Sequence, residues 1–137
     1  MIELLNSTVQ SVEIGRNVVF TDEIGSKCGA ERHRAGSGQL MLAKPGRYLV
    51  SFAGNIAVPA TGGTLGEVSL GIALNGEALT GSIMRITPAA VSEYFNVATM
   101  HYIDVPCGCC ATITVQNTGV SAVNVDNPNL TAVRVCG

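Results

Sequence analysis

The sequence predicts an all-β fold, a two-sheet jelly-roll sandwich. Short segments alternate apolar with small or polar residues, which is the period of a β-strand. Gly, Pro or Asn separates these segments, and no window of eleven residues keeps an apolar stripe at helical spacing without Gly or Pro. The residues by themselves indicate about nine strands, and 137 residues fit one domain, 1–137.

Two strands in the middle of the chain show the alternation most clearly. Tyr48–Ile56 places large side chains at even positions and mostly small ones at odd positions. Val68–Leu74 alternates in the same way and ends at Asn75-Gly76, a dipeptide typical of tight hairpins because both residues tolerate a positive φ. We therefore expect Leu79–Ile86 to be the returning strand, with Pro88 after it.

A long strand is predicted over Ser92–Val105, with apolar residues on both faces. One parity carries Phe95, Val97, Ile103 and Val105, and the other carries Tyr94, Met100 and Tyr102. A strand that is apolar on both faces is covered on both faces, and in a small domain the second cover is often another subunit.

Five further segments are predicted to be strands, and two polar segments are predicted to be loops. The strands are Val9–Ile14, Asn17–Phe20, Gln39–Leu42, Ala111–Gln116 and Leu130–Val135. Asp22-Glu23 is expected in an exposed loop. Gly36-Ser37-Gly38 is expected to be a flexible turn, because a phosphate-binding loop would need a helix behind it.

The composition is low in charge, with 13% charged and 47% hydrophobic residues and a formal net charge of -2. A surface this poor in charge indicates that part of it is buried against copies of the chain, and a surface rich in Ser, Thr and Asn is the alternative. Nucleic acid is not an expected partner, because binding phosphates needs clustered cations and the two closest, Arg32 and Arg34, are too few for a patch.

The first ten residues show neither a basic nor an apolar region of a signal peptide. The longest apolar runs are far shorter than the about 20 residues that a membrane-spanning helix needs. We expect synthesis in a cytoplasm without membrane insertion, and release from the cell by assembly or lysis.

Three motifs occur in the order found in a known family. Gly46–Phe52 matches Gly-x-Tyr-x-hydrophobic-Ser/Thr-hydrophobic, Val68–Gly76 follows it, and Leu130–Val135 is a short final strand. Together they resemble tumour necrosis factor-like (TNF-like) and complement-type globular heads over about residues 9–136. The resemblance is strongest to the bacterial and phage branch, which includes spore-surface glycoprotein heads and prophage structural proteins.

The resemblance implies a jelly roll of ten strands that forms a homotrimer around a three-fold axis. It places Tyr48, Val50 and Phe52 in the core. The candidates for the trimer interface are Leu49, Ser51, Ala53, Tyr94, Met100 and Tyr102. The chain lacks a Gly-x-x stalk and has only 4% aromatic residues, which argues against a spore filament and against an animal-type receptor surface.

The five cysteines leave three alternatives open. Cys28 is a candidate for a disulfide with Cys107, Cys109 or Cys110 of the loop between two strands. The same cysteines with His33 could provide four zinc ligands, although the spacing is not a standard one. The third alternative, buried or idle free thiols, is the one we expect, so no metal or cofactor is predicted.

No set of residues indicates catalysis. His101 and Asp104 are three residues apart on a strand, so they point to opposite faces. His33 is expected in a loop and His101 as a sheet residue.

The leading hypothesis is therefore a non-enzymatic structural or decoration protein on the surface of a phage-like particle, a head fibre or capsid-surface trimer bound to a capsid protein. The alternative is a trimeric binding module that recognises a host-surface glycan or protein through loops at one end of the jelly roll.

Overall fold

The computed structural model describes residues 1–25, 30–34, 36–61, 64–108 and 110–136. Within these ranges the chain forms twelve β-strands and one short 3-10 turn, Thr80–Ser82. The strands are β1 (Ile2–Leu5), β2 (Gln10–Val12), β3 (Asp22–Gly25), β4 (Glu31–His33), β5 (Leu40–Leu42), β6 (Gly46–Ala57), β7 (Val68–Leu74), β8 (Glu77–Ala78), β9 (Met84–Ile86), β10 (Phe95–Val105), β11 (Ala111–Asn117) and β12 (Val123–Cys136).

The strands form two antiparallel sheets that pack face to face. Sheet A has the order β10-β6-β12-β1-β3, and β2 also pairs with β12. Sheet B has the order β4-β5-β11-β7-β8, and β9 also pairs with β7. The predicted all-β, two-sheet jelly-roll sandwich is confirmed.

The core lies between the sheets and follows the predicted alternation. Tyr48, Val50 and Phe52 of β6 are almost fully buried, and they face Leu70 and Ile72 of β7 in the same apolar cluster. Burying a large apolar side chain contributes roughly 1.5–3 kcal/mol, so these alternating positions supply much of the stability. The Tyr48 hydroxyl donates to the Lys44 carbonyl at 2.7 Å, which satisfies the one polar atom of that side chain.

The hairpin at Asn75-Gly76 is confirmed, because both residues have a positive φ, 51° and 86°. The uninterrupted strand predicted over Leu79–Ile86 is wrong. β8 and β9 both pair with β7, but the 3-10 turn separates them. The buried hydroxyl of Ser82 replaces the missing ladder contacts: it accepts from the Ile72 amide at 2.9 Å and donates to the Leu79 carbonyl at 2.7 Å.

The predicted strand Asn17–Phe20 is also wrong, although Val18 and Phe20 are buried. Only Asn17 forms a bridge to β11, at Gln116. The Gln10 side chain instead binds both the amide and the carbonyl of Val19, at 2.9 Å each. The Gln10 side-chain amide thus provides the hydrogen bonds that a neighbouring strand would otherwise provide. The alternation of apolar residues is the same with either partner, so it does not distinguish a strand from this segment.

Four strands were not predicted: β1, β3, β4 and the two-residue β8 of the hairpin. β1 lies between β12 and β3 with alternate residues buried, and β4 is an edge strand next to β5. The loop predicted at Asp22-Glu23 is wrong, because both residues belong to β3. β3 is exposed along its length, so it has no apolar face to bury. It is a strand because it pairs with β1.

Some boundaries differ from the predicted ones. β2 is limited to Gln10–Val12, and β10 begins at Phe95 because Ser92 has a φ of 58°, outside the strand region. β12 begins well before Leu130, and a bulge lies between Asp126 and Asn129. Among the described residues, no helix is long and apolar enough to cross a bilayer.

Candidate functional site

The outward face of sheet A carries a surface that we call the row face. Its residues alternate with the buried ones and stand side by side across β10, β6 and β12. The three rows are Tyr102–Leu49–Val133, Met100–Ser51–Thr131 and Ala98–Ala53–Asn129. None of these nine side chains is charged, so the surface combines small, apolar and neutral polar groups.

The row face unites five of the six predicted interface residues: Leu49, Ser51, Ala53, Met100 and Tyr102. The sixth, Tyr94, precedes β10 and is 38% exposed, so it lies outside the strand rows. Contact of these residues with another subunit stays a prediction.

Large apolar groups are exposed on this surface. Met100 is 63% and Tyr102 is 59% exposed. Beside Met100, the small side chains of Ser51, Ala53 and Ala98 leave a shallow cavity of about 430 Å³. Exposed apolar groups that are contiguous mark interaction sites more often than isolated ones do, so the row face is the candidate interface of this chain.

Charged groups next to the row face are paired with each other or with neutral partners. The Arg47 guanidinium donates two hydrogen bonds to the Asp104 carboxylate, at 2.8 and 3.1 Å, and lies 5.7 Å from the centre of the Tyr102 ring. The hydrogen bond from Arg47 holds the pKa of Asp104 below its usual value, and the same bond raises the pKa of Arg47. At the other side of the rows, Glu3 accepts from the Asn129 side chain at 2.6 Å.

The cysteines are only partly described. Cys107, Cys110 and Cys136 are free, and all three are exposed, so of the expected buried or idle free thiols these are not the buried kind. Cys28 and Cys109 lie outside the described residues, which leaves Cys28–Cys109 as the remaining pairing of the candidate disulfide. Within the described ranges, no three His, Cys, Asp or Glu side chains are grouped as metal ligands would be.

The two histidines have separate surroundings. His101 lies in β10 as expected, with Nδ1 2.7 Å from the Tyr102 carbonyl, while Asp104 binds Arg47 instead. His33 was expected in a loop, and this was wrong: it ends β4 and its side chain is fully buried. Nδ1 lies 3.2 Å from Glu23 Oε2 and Nε2 lies 2.8 Å from the Ser37 carbonyl.

A second cavity, of about 410 Å³, lies on the outward side of sheet B. Sequence reasoning missed it. Arg32 of β4 and Arg34, which directly follows that strand, line it, and the signal in the sequence was their spacing of two residues. The strand itself was not predicted, so the two arginines were considered only as a patch too small for nucleic acid.

Comparison with known proteins supports the fold. The globular domain of the zebrafish complement 1qA protein has a TM-score of 0.65 at 11% identity, over 98% of this chain and 95% of that chain. Rabbit GITRL (TM-score 0.45, 15% identity, 76% and 77% covered) and a family 35 carbohydrate-binding module from Clostridium thermocellum (TM-score 0.42, 10% identity, 90% and 97% covered) are more distant. No family model and no curated protein sequence matches the chain. The chain therefore has the jelly-roll fold of a complement-type globular head, and the likeness extends to the fold alone.

Proposed function

We propose that the chain is a non-catalytic β-head that assembles as a homotrimer through the row face and serves as a structural or decoration protein on a phage-like particle. The observation that carries this proposal is the uncharged row face itself, with Met100 and Tyr102 more than half exposed. A single domain over 1–137 is part of the proposal.

Assembly through this face has a plain energetic basis. Full burial of an exposed large apolar side chain contributes roughly 1.5–3 kcal/mol, and covering the exposed parts of Met100 and Tyr102 would supply a share of this in each subunit. Small residues at positions 51, 53 and 98 let a neighbouring backbone approach closely, and the Arg47–Asp104 pair at one side needs no partner in the other subunit. In a closed ring of three copies each subunit contacts both neighbours, so no interface is left open to further copies.

The proposed place on a particle follows from the surfaces that the trimer would leave free. Assembly through sheet A would leave sheet B and the connecting loops free to contact a capsid protein. The low charge of the chain and the sequence resemblance to prophage structural proteins favour this role. Mass spectrometry of purified particles from the source should detect the chain in a constant ratio to the capsid protein, and its absence from intact particles would count against a virion component.

The trimer is tested by light scattering after gel filtration. The wild-type chain should have a mass of about three times 14.1 kDa. Ser51→Arg places a long cation in the middle row and should give a folded species of lower mass. Thr112→Arg, on the outward face of sheet B, is the control and should remain trimeric. A wild-type monomer at micromolar concentration would refute the proposed assembly.

The alternative function, a binding module for a host-surface glycan or protein, is favoured by one observation. The 410 Å³ cavity on sheet B combines two arginines with Ser37, Gln39 and Thr112, which are groups that bind polar ligands. The two functions are compatible, because the cavity and the row face lie on different sheets.

A further inference from the structure

The cavity on sheet B has a defined construction, which we call the arginine cavity. Arg32 is exposed on the outward side of β4, Arg34 directly follows the strand and lines the same cavity, and the side chain of His33 between them is buried. In the ladder Arg32 stands opposite Met41, which stands opposite Thr112 on β11. His33, together with Ser37 and Gln39 of the connection between β4 and β5, completes the lining.

The two guanidinium groups of this cavity are available for a ligand. Among the described residues, neither Arg32 nor Arg34 forms an ion pair or a hydrogen bond through its side chain, whereas Arg47 and Arg85 pair with Asp104 and Glu67. The carboxylates of neighbouring strands have other partners: Glu23 binds His33. Glu31 lies 3.4 Å from the amino group of Met1.

The backbone around the cavity is held in place. His33 Nε2 binds the Ser37 carbonyl at 2.8 Å, and the Ser37 amide donates to the Arg34 carbonyl at 2.9 Å. The Gly36 amide donates to the Phe20 carbonyl at 2.9 Å, which ties the connection to the buried segment beneath it. A site whose backbone is already ordered loses little entropy when a ligand binds.

We infer that the arginine cavity binds a saccharide unit that carries one carboxylate or sulfate group. Planar guanidinium groups bind such oxyanions through paired hydrogen bonds, which two unpaired arginines can provide. The side chains of Ser37, Gln39 and Thr112 can bind sugar hydroxyls, and exposed Met41 offers an apolar surface for the C–H face of a sugar ring. This inference rests on the binding-module alternative and is independent of the particle assignment.

The volume of the arginine cavity, its two cations and its repetition in a trimer indicate the class of ligand. A volume of about 410 Å³ is within the range of small-molecule sites, roughly 300–1,000 Å³, and is large enough for one or two sugar units. Two cations suffice for one oxyanion but not for the row of phosphates in a nucleic acid. In a trimer, three such sites would give avidity for a surface that carries many copies of the sugar.

The test is an NMR titration of the intact chain, labelled with ¹⁵N, with three probes: 3′-sialyllactose, 3′-sulfated lactose and neutral lactose. At least one acidic probe should shift the amide signals of Arg32, Arg34 and Met41, with an affinity at least about tenfold above that of lactose. Equal binding of lactose, or no shift of these amides with either acidic probe at millimolar concentration, would overturn the inference.

Two variants with equal loss of charge separate the site from a general electrostatic effect. The double variant Arg32→Gln/Arg34→Gln should weaken binding of the acidic probe at least about tenfold. Arg16→Gln/Arg85→Gln removes the same charge outside the cavity and should bind like the wild type. If both variants lose binding equally, the arginine cavity is not the site. Both should keep the mass of the wild-type oligomer by light scattering, so a failure of the trimer is seen separately.

Discussion

The side chain of His33 connects the two sheets of the sandwich through Glu23. His33 ends β4, an edge strand of sheet B, and Glu23 belongs to β3, an edge strand of sheet A. Their atoms Nδ1 and Oε2 are 3.2 Å apart, and the Phe20 ring and the imidazole form a T-shaped pair with centroids 6.5 Å apart. The other ring nitrogen faces the Ser37 carbonyl, so both polar neighbours of this buried ring are hydrogen-bond acceptors.

Replacing His33 should therefore destabilise the fold. His33→Leu removes the donor to the Ser37 carbonyl and leaves that carbonyl without its partner, so we expect a loss of roughly 1–3 kcal/mol in the free energy of unfolding. His101→Leu is the control, because His101 is half-buried and binds only an adjacent carbonyl, and it should lose less than about 0.5 kcal/mol. Urea unfolding followed by circular dichroism measures both, and equal losses would contradict the connecting role of His33.

Ser82 should contribute more to stability than an ordinary serine. Ser82→Ala leaves the Ile72 amide without its acceptor inside the fold, which should cost roughly 1–3 kcal/mol in the free energy of unfolding. Ser11→Ala, at an exposed position of β2, is the control and should change it by less than about 0.5 kcal/mol. If both variants unfold at the same denaturant concentration as the wild type, the Ser82 hydroxyl does not replace the missing hydrogen bonds between strands.

The two exposed methionines of opposite sheets provide a matched test of the row face. Met100→Lys places a charge in the middle of the proposed interface, so it should weaken trimer association at least about tenfold. Met41→Lys makes the same change on sheet B, where no trimer interface is proposed, and should leave trimer association unchanged. Sedimentation equilibrium measures both constants. Loss of association in the Met41 variant alone would move the interface to sheet B.

The pair Arg47–Asp104 predicts a titration. Because the hydrogen bond from Arg47 favours the ionised carboxylate, the pKa of Asp104 should lie below 3.8, and Arg47→Gln should raise it towards that value. A lowered pKa in the folded state means that the pair stabilises the fold at pH values above the ordinary range of Asp and that this contribution is lost as the pH falls through the lowered pKa. Carbon-detected NMR of the Asp104 carboxyl checks this, and an unchanged pKa in the variant would contradict it.

Counting reactive thiols should show which of the five cysteines are free. Cys107, Cys110 and Cys136 are exposed, so three thiols should react quickly with a chromogenic disulfide in the native protein. In denaturant without reductant the count should rise to five if all five cysteines are free thiols, as we expect, and a count of three would instead indicate the candidate disulfide Cys28–Cys109. A native count below three would contradict the exposure of the described cysteines.

Local pattern in the chain was enough to predict the sandwich and the division of β6 into a buried and an outward side. The sequence shows two features that depend only on residues close together in the chain. These are the alternation at Tyr48, Val50 and Phe52 and the turn at Asn75-Gly76. The same alternation placed Leu49, Ser51 and Ala53 together on one face before any partner strand was known.

Other features depended on which strands become neighbours. The edge strand β3 has no apolar alternation, and the hydroxyl of Ser82 and the amide of Gln10 replace strand contacts through groups distant in the chain. The arginine cavity exists because register places Arg32 beside Met41 and Thr112 from two other strands. Pairing between distant segments is a property of the packed chain, because it depends on the shape and hydrogen bonding of both partners at once, and short-range alternation does not encode it.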